Sequence, residues 1–317
     1  MPHYGLSEKE IDALVTLIMG MVKDEIPESK LPEKTPAYLA VSKGERFIHT
    51  NNCLGCHKID GEGGAIWTAT AAWLEEVAGS ENSQDISLVQ SFSPPLLNTE
   101  GRKVQPDWLL DWFQNVSMIR PHLQVRMPSY NFTHEEWNGV IDYFQSKDGM
   151  SLTYENPHSF SQVSNSYLAG QKIQEEGACI NCHFYGSMKP RQDALTWAPN
   201  LVLTKERLRP EWLIELFNNP QSVMPGTKMP APYIPVDEPI NDVIEYWGPE
   251  VAAFVGDTTA MFYGLVDWMW GLEGVEDVSA IVKIHLENKG YGFITCLLYT
   301  SDAADDTPCV DLGGRRI

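Results

Sequence analysis

The pattern Cys-x-x-Cys-His occurs twice, in NNCLGCHKID at 51–60 and in GACINCHFYG at 177–186. The likeness spreads outward from both. GERFIHTNNCLGCH (44–57) aligns with GQKIQEEGACINCH (170–183), each with a glycine nine residues before its first cysteine. Downstream, SPPLL (93–97) aligns with APNLV (198–202), VQPDWLLDWFQN (104–115) with LRPEWLIELFNN (208–219), and RMPSY (126–130) with KMPAPY (228–233). One order of landmarks with unequal spacers marks duplicated units. Whatever local fold one copy adopts, the other must adopt as well.

The start of the chain belongs to the same scheme. MPHYGLSEKEIDALVTLIMG (1–20) aligns with MPSYNFTHEEWNGVIDYFQS (127–146), so Met1 takes the place of Met127. Residues 1–26 therefore read as the tail of a further copy, and the chain as a fragment of a longer gene product. At the other end, CLLYTSDAADDTPCVDLGGRRI (296–317) resembles the translation of a synthetic sequencing adapter. That segment is set aside from fold reasoning, with Cys296 and Cys309 in it. All remaining cysteines sit in a Cys-x-x-Cys-His.

Local signals are helical. Ile11, Leu14, Val15, Ile18 and Val22 form a 3.6-residue stripe over 7–23, with Ser7 as N-cap. Thr133 with Glu136 forms the capping pair of a similar helix after Met127. Pro106 and Pro210 stand where a first helical turn accepts proline. Alternating apolar residues, the mark of a strand, suggest themselves only in 279–294, and linkers are expected at 27–36 and 151–159. The expected class is all-α.

Composition narrows the function. The chain has 317 residues, 43% hydrophobic and 10% aromatic, which places it among globular proteins. Its 23 Lys and Arg against 43 Asp and Glu give a net charge of −20, so a basic nucleic-acid footprint is absent. Such acidity suits a solvated surface, or a face that docks a basic partner. The N-terminal apolar run lacks a basic leader and a cleavage site, and no apolar run is long enough to span a membrane.

Cys-x-x-Cys-His is the sequence signal for covalent attachment of haem c. Two thiols bond the vinyl groups along one porphyrin edge, and the adjacent histidine ligates the iron from below. Zinc held by two cysteine pairs expects a separation of about 15–20 residues, whereas Cys56 and Cys179 are 123 apart. A thioredoxin-like dithiol expects a βαβ setting, and plain disulfides do not call for the histidines. The candidates are thus Cys53, Cys56 and His57 for one haem, and Cys179, Cys182 and His183 for a second. Opposite the histidines, Met127 and Met229 stand in the repeated Met-Pro context, with Met224 as rival to Met229. Met ligation raises the potential relative to bis-His. His49 and His122 are the remaining alternatives. Trp108, Trp112 and Trp212 are expected to pack the haem-side core, and a carbonyl at Pro94, Pro95 or Pro199 to orient an imidazole.

On these residues the chain resembles tandem class I cytochrome c domains: CLGCH and CINCH after an opening helix, MPSY and KMP before a closing one. The resemblance implies small helical domains around one covalent haem each, over 36–150 and 158–295, with first and last helices crossing. The Pro-acid-Trp-Leu helices and later Met-Pro resemble c-type subunits that accompany quinol-oxidising or terminal-oxidase complexes. Two departures stand out. The first copy carries an insert, TATAAWLEEVAGSENSQDIS, expected as a helix and loop forming a lid or a contact with its neighbour. The second copy runs longer after Met229, and 275–295 has no counterpart. The resulting expectation is an extracytoplasmic, periplasmic electron carrier rather than an enzyme. Its partners would be redox proteins, and any membrane association would come through segments beyond this fragment. The alternative is a dihaem peroxidase-like enzyme or the electron-entry module of a reductase.

Overall fold

A computed structural model describes residues 5–21, 31–79, 84–120, 122–123, 126–289, 294–295 and 310–311. Met1, the linker residues 22–30 and nearly all of 296–317 lie outside these. The described chain is mostly helical. Its main helices are α1 (Glu8–Met21), α2 (Pro36–Thr50), α3 (Ile66–Ala78), α4 (Ile86–Phe92), α5 (Pro106–Gln114), α6 (His134–Lys147), α7 (Asn165–Glu176), α8 (Pro210–Asn218), α9 (Ile240–Trp247), α10 (Thr258–Trp270) and α11 (Ser279–Lys289), with single helical turns between them. Among the described residues, extended pairing consists of two-residue strands, Lys58–Ile59 with Glu62–Gly63 and Ile294–Thr295 with Val310–Asp311, and a few isolated bridges.

Helix starts follow the sequence signals. Thr35 caps α2 by accepting from the Tyr38 N–H, and Pro36 opens it. Thr133 and Glu136 close a reciprocal capping box on α6. Ser164 caps α7 and Asp257 caps α10, while α5 and α8 each begin on a proline. Each motif-bearing segment follows a helix, α2 or α7, that crosses a later one, α6 or α10. Both crossings are close. A Cβ at Gly44 would overlap the Tyr143 side chain, and one at Gly170 would collide with the Gly264 carbonyl. Glycine is what lets the backbones approach.

The buried faces of both pairs merge into one core, in which Ile48, Phe113 and Trp137 are continuous with Ile173, Trp212 and Val266. The copies also join through backbone. Val104 and Leu208 form an isolated antiparallel bridge, flanked by Gln105 N–H to the Arg207 carbonyl and Arg209 N–H to the Lys103 carbonyl, both 2.9 Å.

Residues 279–289 form helix α11 rather than an alternating strand. Val278 and Val282, four residues apart, pack with Phe184, Ala194 and Trp197, so the apolar spacing is helical once its partner surface is known. The insert (68–87) supplies most of helix α3, residues 80–83 lie outside the described chain, and α4 begins only at the insert's last two residues. In the second copy the counterpart of α6 is α10, reached only after the added helix α9. α1 reproduces the capping box of α6 at Ser7 and Glu10. Its Ile11, Leu14, Val15, Leu17 and Ile18 occupy the register of α6's buried Trp137, Val140, Ile141, Tyr143 and Phe144, yet all five are exposed.

Candidate cofactor-binding cavity

Both Cys-x-x-Cys-His segments adopt the same turn. The residue before the first cysteine is left-handed, Asn52 at φ 51° and Ala178 at φ 48°, and a single 3-10 turn follows over Cys53–Gly55 and Cys179–Asn181. His57 N–H then bonds the Cys53 carbonyl at 3.0 Å, and His183 N–H the Cys179 carbonyl at 2.9 Å. Asparagine tolerates the left-handed region. Alanine there costs about 1–2 kcal/mol, so the tertiary setting imposes the turn on the second copy.

The turns open on a single cavity of about 970 Å³. That is at the upper end of the range for small-molecule sites. Cys53, Cys56 and His57 line it, as do Cys179, Cys182 and His183. Met127, Met224 and Met229 all reach it too, so both rivals for the second copy are present. Met118 lines it as well, a residue the sequence did not single out because it falls outside the repeated Met-Pro. Trp108, Trp112 and Trp212 contribute apolar wall, Trp108 stacked on Trp112 at 6.0 Å.

Each motif imidazole is held by a prolyl carbonyl. His57 Nδ1 lies 2.9 Å from the Pro95 oxygen and His183 Nδ1 lies 2.8 Å from the Pro199 oxygen. A carbonyl only accepts, so Nδ1 carries the proton and Nε2 keeps its lone pair. Burial lowers both histidine pKa values, favouring that neutral form. These bonds also correct the alignment by one residue: Pro95 corresponds to Pro199, not Pro94. Leu97 N–H to the Lys58 carbonyl and Leu201 N–H to the Phe184 carbonyl repeat the same register. Pro95-Leu96-Leu97 and Pro199-Asn200-Leu201 are thus the matching Pro-x-Leu segments.

Among the described residues, no other histidine lines the cavity. His49 is exposed on α2. His122 is buried between the rings of Phe92 and Trp197, and burial with the nearby Arg120 charge brings its pKa down to about 3. His158 is paired with Asp267 at 2.6 Å.

Zinc and dithiol readings lose ground on geometry. Among the described residues no three His, Cys, Asp or Glu side chains gather as a metal cluster, and no disulfide joins Cys53, Cys56, Cys179 or Cys182. Burial pushes the Cys53 and Cys182 thiols up and Cys179 to about 11, opposite to the lowered value of a redox-active dithiol. The insert contacts the second copy at this site. Its Leu74 shares a small core with Leu88, Val89, Phe92 and Leu123, against which Leu195 of the second copy packs, and Asp85 pairs with Lys228 at 3.3 Å, next to Met229.

One wall is cationic. Lys103, Arg120 and Arg207 line the cavity with Glu100 as their neighbouring carboxylate. Lys103 bonds Glu100 at 3.0 Å, Arg120 donates to the Ser91 and Ser93 carbonyls, and the Arg207 Nε is buried without a partner. Burial lowers all three pKa values, that of Arg120 to about 10.

Comparison with known proteins finds similarity to a nitric oxide reductase component from Halomonas halodenitrificans. The two are 26% identical over 121 residues, which are 38% of this chain and 66% of that protein. The match therefore spans just under two thirds of the relative. No family model matches, and no solved structure does.

Proposed function

We propose that this chain is an electron carrier holding two haems c, one at Cys53, Cys56 and His57 and one at Cys179, Cys182 and His183. The observation that carries the reading is the pair of prolyl-carbonyl bonds, made by both histidines that follow the cysteine pairs. Each bond presents a neutral imidazole nitrogen on a cavity lined by the thiols of its own motif. The donor set suits haem c: two thiols for an edge, one oriented imidazole, thioethers within the same cavity and a largely apolar wall. Bound there, haem supplies a one-electron Fe(III)/Fe(II) couple. The residues position it, exclude water and set its potential. Met127 is the proposed distal ligand of the first copy and Met229 of the second, with Met224 as the competing donor.

The two units form tandem cytochrome c-like domains over 36–150 and 158–295. The chain works outside the cytoplasm, passing electrons between redox proteins rather than converting a substrate. Similarity to a component of a reductase favours one setting in particular, delivery of electrons to a larger reductase complex.

The test is haem content. Chain produced with haem-attachment machinery should carry two covalent haems per molecule by pyridine haemochrome and intact mass. Cys53→Ala with Cys56→Ala should leave one. Absence of covalent haem in the unsubstituted protein would overturn the reading. The thioether–iron charge-transfer band assigns the distal ligand, since Met229→Leu, and not Met224→Leu, should remove the contribution of the second copy.

A further inference from the structure

The bridge between the copies pairs equivalent residues. In the register set by Pro95 and Pro199, Val104 corresponds to Leu208, Lys103 to Arg207 and Gln105 to Arg209. The antiparallel bridge joins Val104 to Leu208 itself, and its two flanking bonds, Gln105 to Arg207 and Arg209 to Lys103, exchange under that correspondence. Residues that pair with their own counterparts define a local two-fold axis. The side chains obey it too. Lys103 Nζ lies 5.7 Å from the ring centre of Trp212, and the Arg207 guanidinium lies 5.5 Å from that of Trp108, its equivalent. Each copy thus sends a cation onto the other copy's tryptophan, close to the axis and on the wall of the shared cavity.

The charge there is unbalanced. Lys103, Arg120 and Arg207 face one carboxylate, Glu100, and the Arg207 Nε has no acceptor. A buried excess of positive charge is costly unless an anion meets it. Resting on the haem reading above, we infer that Lys103, Arg120 and Arg207 form one anion subsite shared by both copies, which takes carboxylates of both haems. Thioether bonds to the cysteines would hold one edge of each porphyrin, which would leave its propionates to meet these cations in the cavity. A shared site makes the two haems electrostatically interdependent: one cation raises the potential of both by disfavouring the ferric charge.

Potentiometric titration of the two-haem protein tests this. Haem content is measured first, so absence of covalent haem counts against the haem reading and not against the subsite. Arg207→Gln should keep both haems and lower both midpoint potentials, while Arg207→Lys, which keeps the charge, should leave both near their starting values. Arg120→Gln, an independent cation of the cluster, should move both in the same downward direction, which covers the case in which Arg207→Gln does not fold. Arg46→Gln, on the exposed side of α2, should move neither. If either buried substitution shifts one haem alone, or shifts none, the shared subsite is overturned.

Discussion

Replacing Gly170 with alanine tests whether the α7–α10 crossing sets the second copy's geometry. Alanine in a helix interior normally gains about 1 kcal/mol over glycine. Here the new Cβ meets backbone: it overlaps the Gly264 carbonyl and comes within 2.9 Å of the Leu265 nitrogen. Neither can rotate aside, so the helices must separate. Overpacking of this kind costs about 1–3 kcal/mol. Separation also loosens Ala169, Ile173, Met261 and Val266, all fully buried along the contact. A loss near one methylene of burial at two or three of these adds about 2 kcal/mol, for a net destabilisation of about 3 kcal/mol. Gly139→Ala on α6 is the internal control. The nearest atom to its Cβ is the end of the Lys43 side chain at 3.9 Å, so the propensity gain of about 1 kcal/mol should be realised. Guanidinium unfolding of both variants, followed by helical circular dichroism, should place the Gly170→Ala midpoint below wild type and the Gly139→Ala midpoint above it. Equal midpoints, or the reverse order, would refute close approach at this crossing.

Two further outcomes follow from particular residues. Ala178→Gly should stabilise the chain by about 1 kcal/mol, because it relieves a left-handed alanine at φ 48° and offsets that only partly through unfolded-state entropy; a lower unfolding midpoint would contradict the strain. Leu17→Lys with Ile18→Lys on the exposed face of α1 should leave the unfolding free energy within about 0.5 kcal/mol of wild type in guanidinium titration, as for other surface positions. A larger loss would contradict the exposure of these side chains.

Much of the site was legible in the chain. The duplication, the two thiol pairs with their histidines, the capping residues Thr133 and Glu136 and the proline starts of α5 and α8 are all local patterns. Local patterns are written in spacing: a turn of five residues or a helix stripe needs nothing from elsewhere in the chain. Helix α11 shows where this stops. Its apolar residues read equally well as a strand until Phe184, Ala194 and Trp197 supply the surface that selects Val278 and Val282.

Tertiary structure alone decided the relations between distant residues. It chose Pro95 over Pro94 as partner of His57 across 38 residues, opened both motifs on one cavity, and brought Met118 to its wall. It also set Lys103 over Trp212 and Arg207 over Trp108, contacts of 109 and 99 residues in sequence. No periodicity encodes such pairs. They arise when two amphipathic units bury their faces in one core, and the copies then meet where backbone hydrogen bonds and unmatched charge find their counterparts.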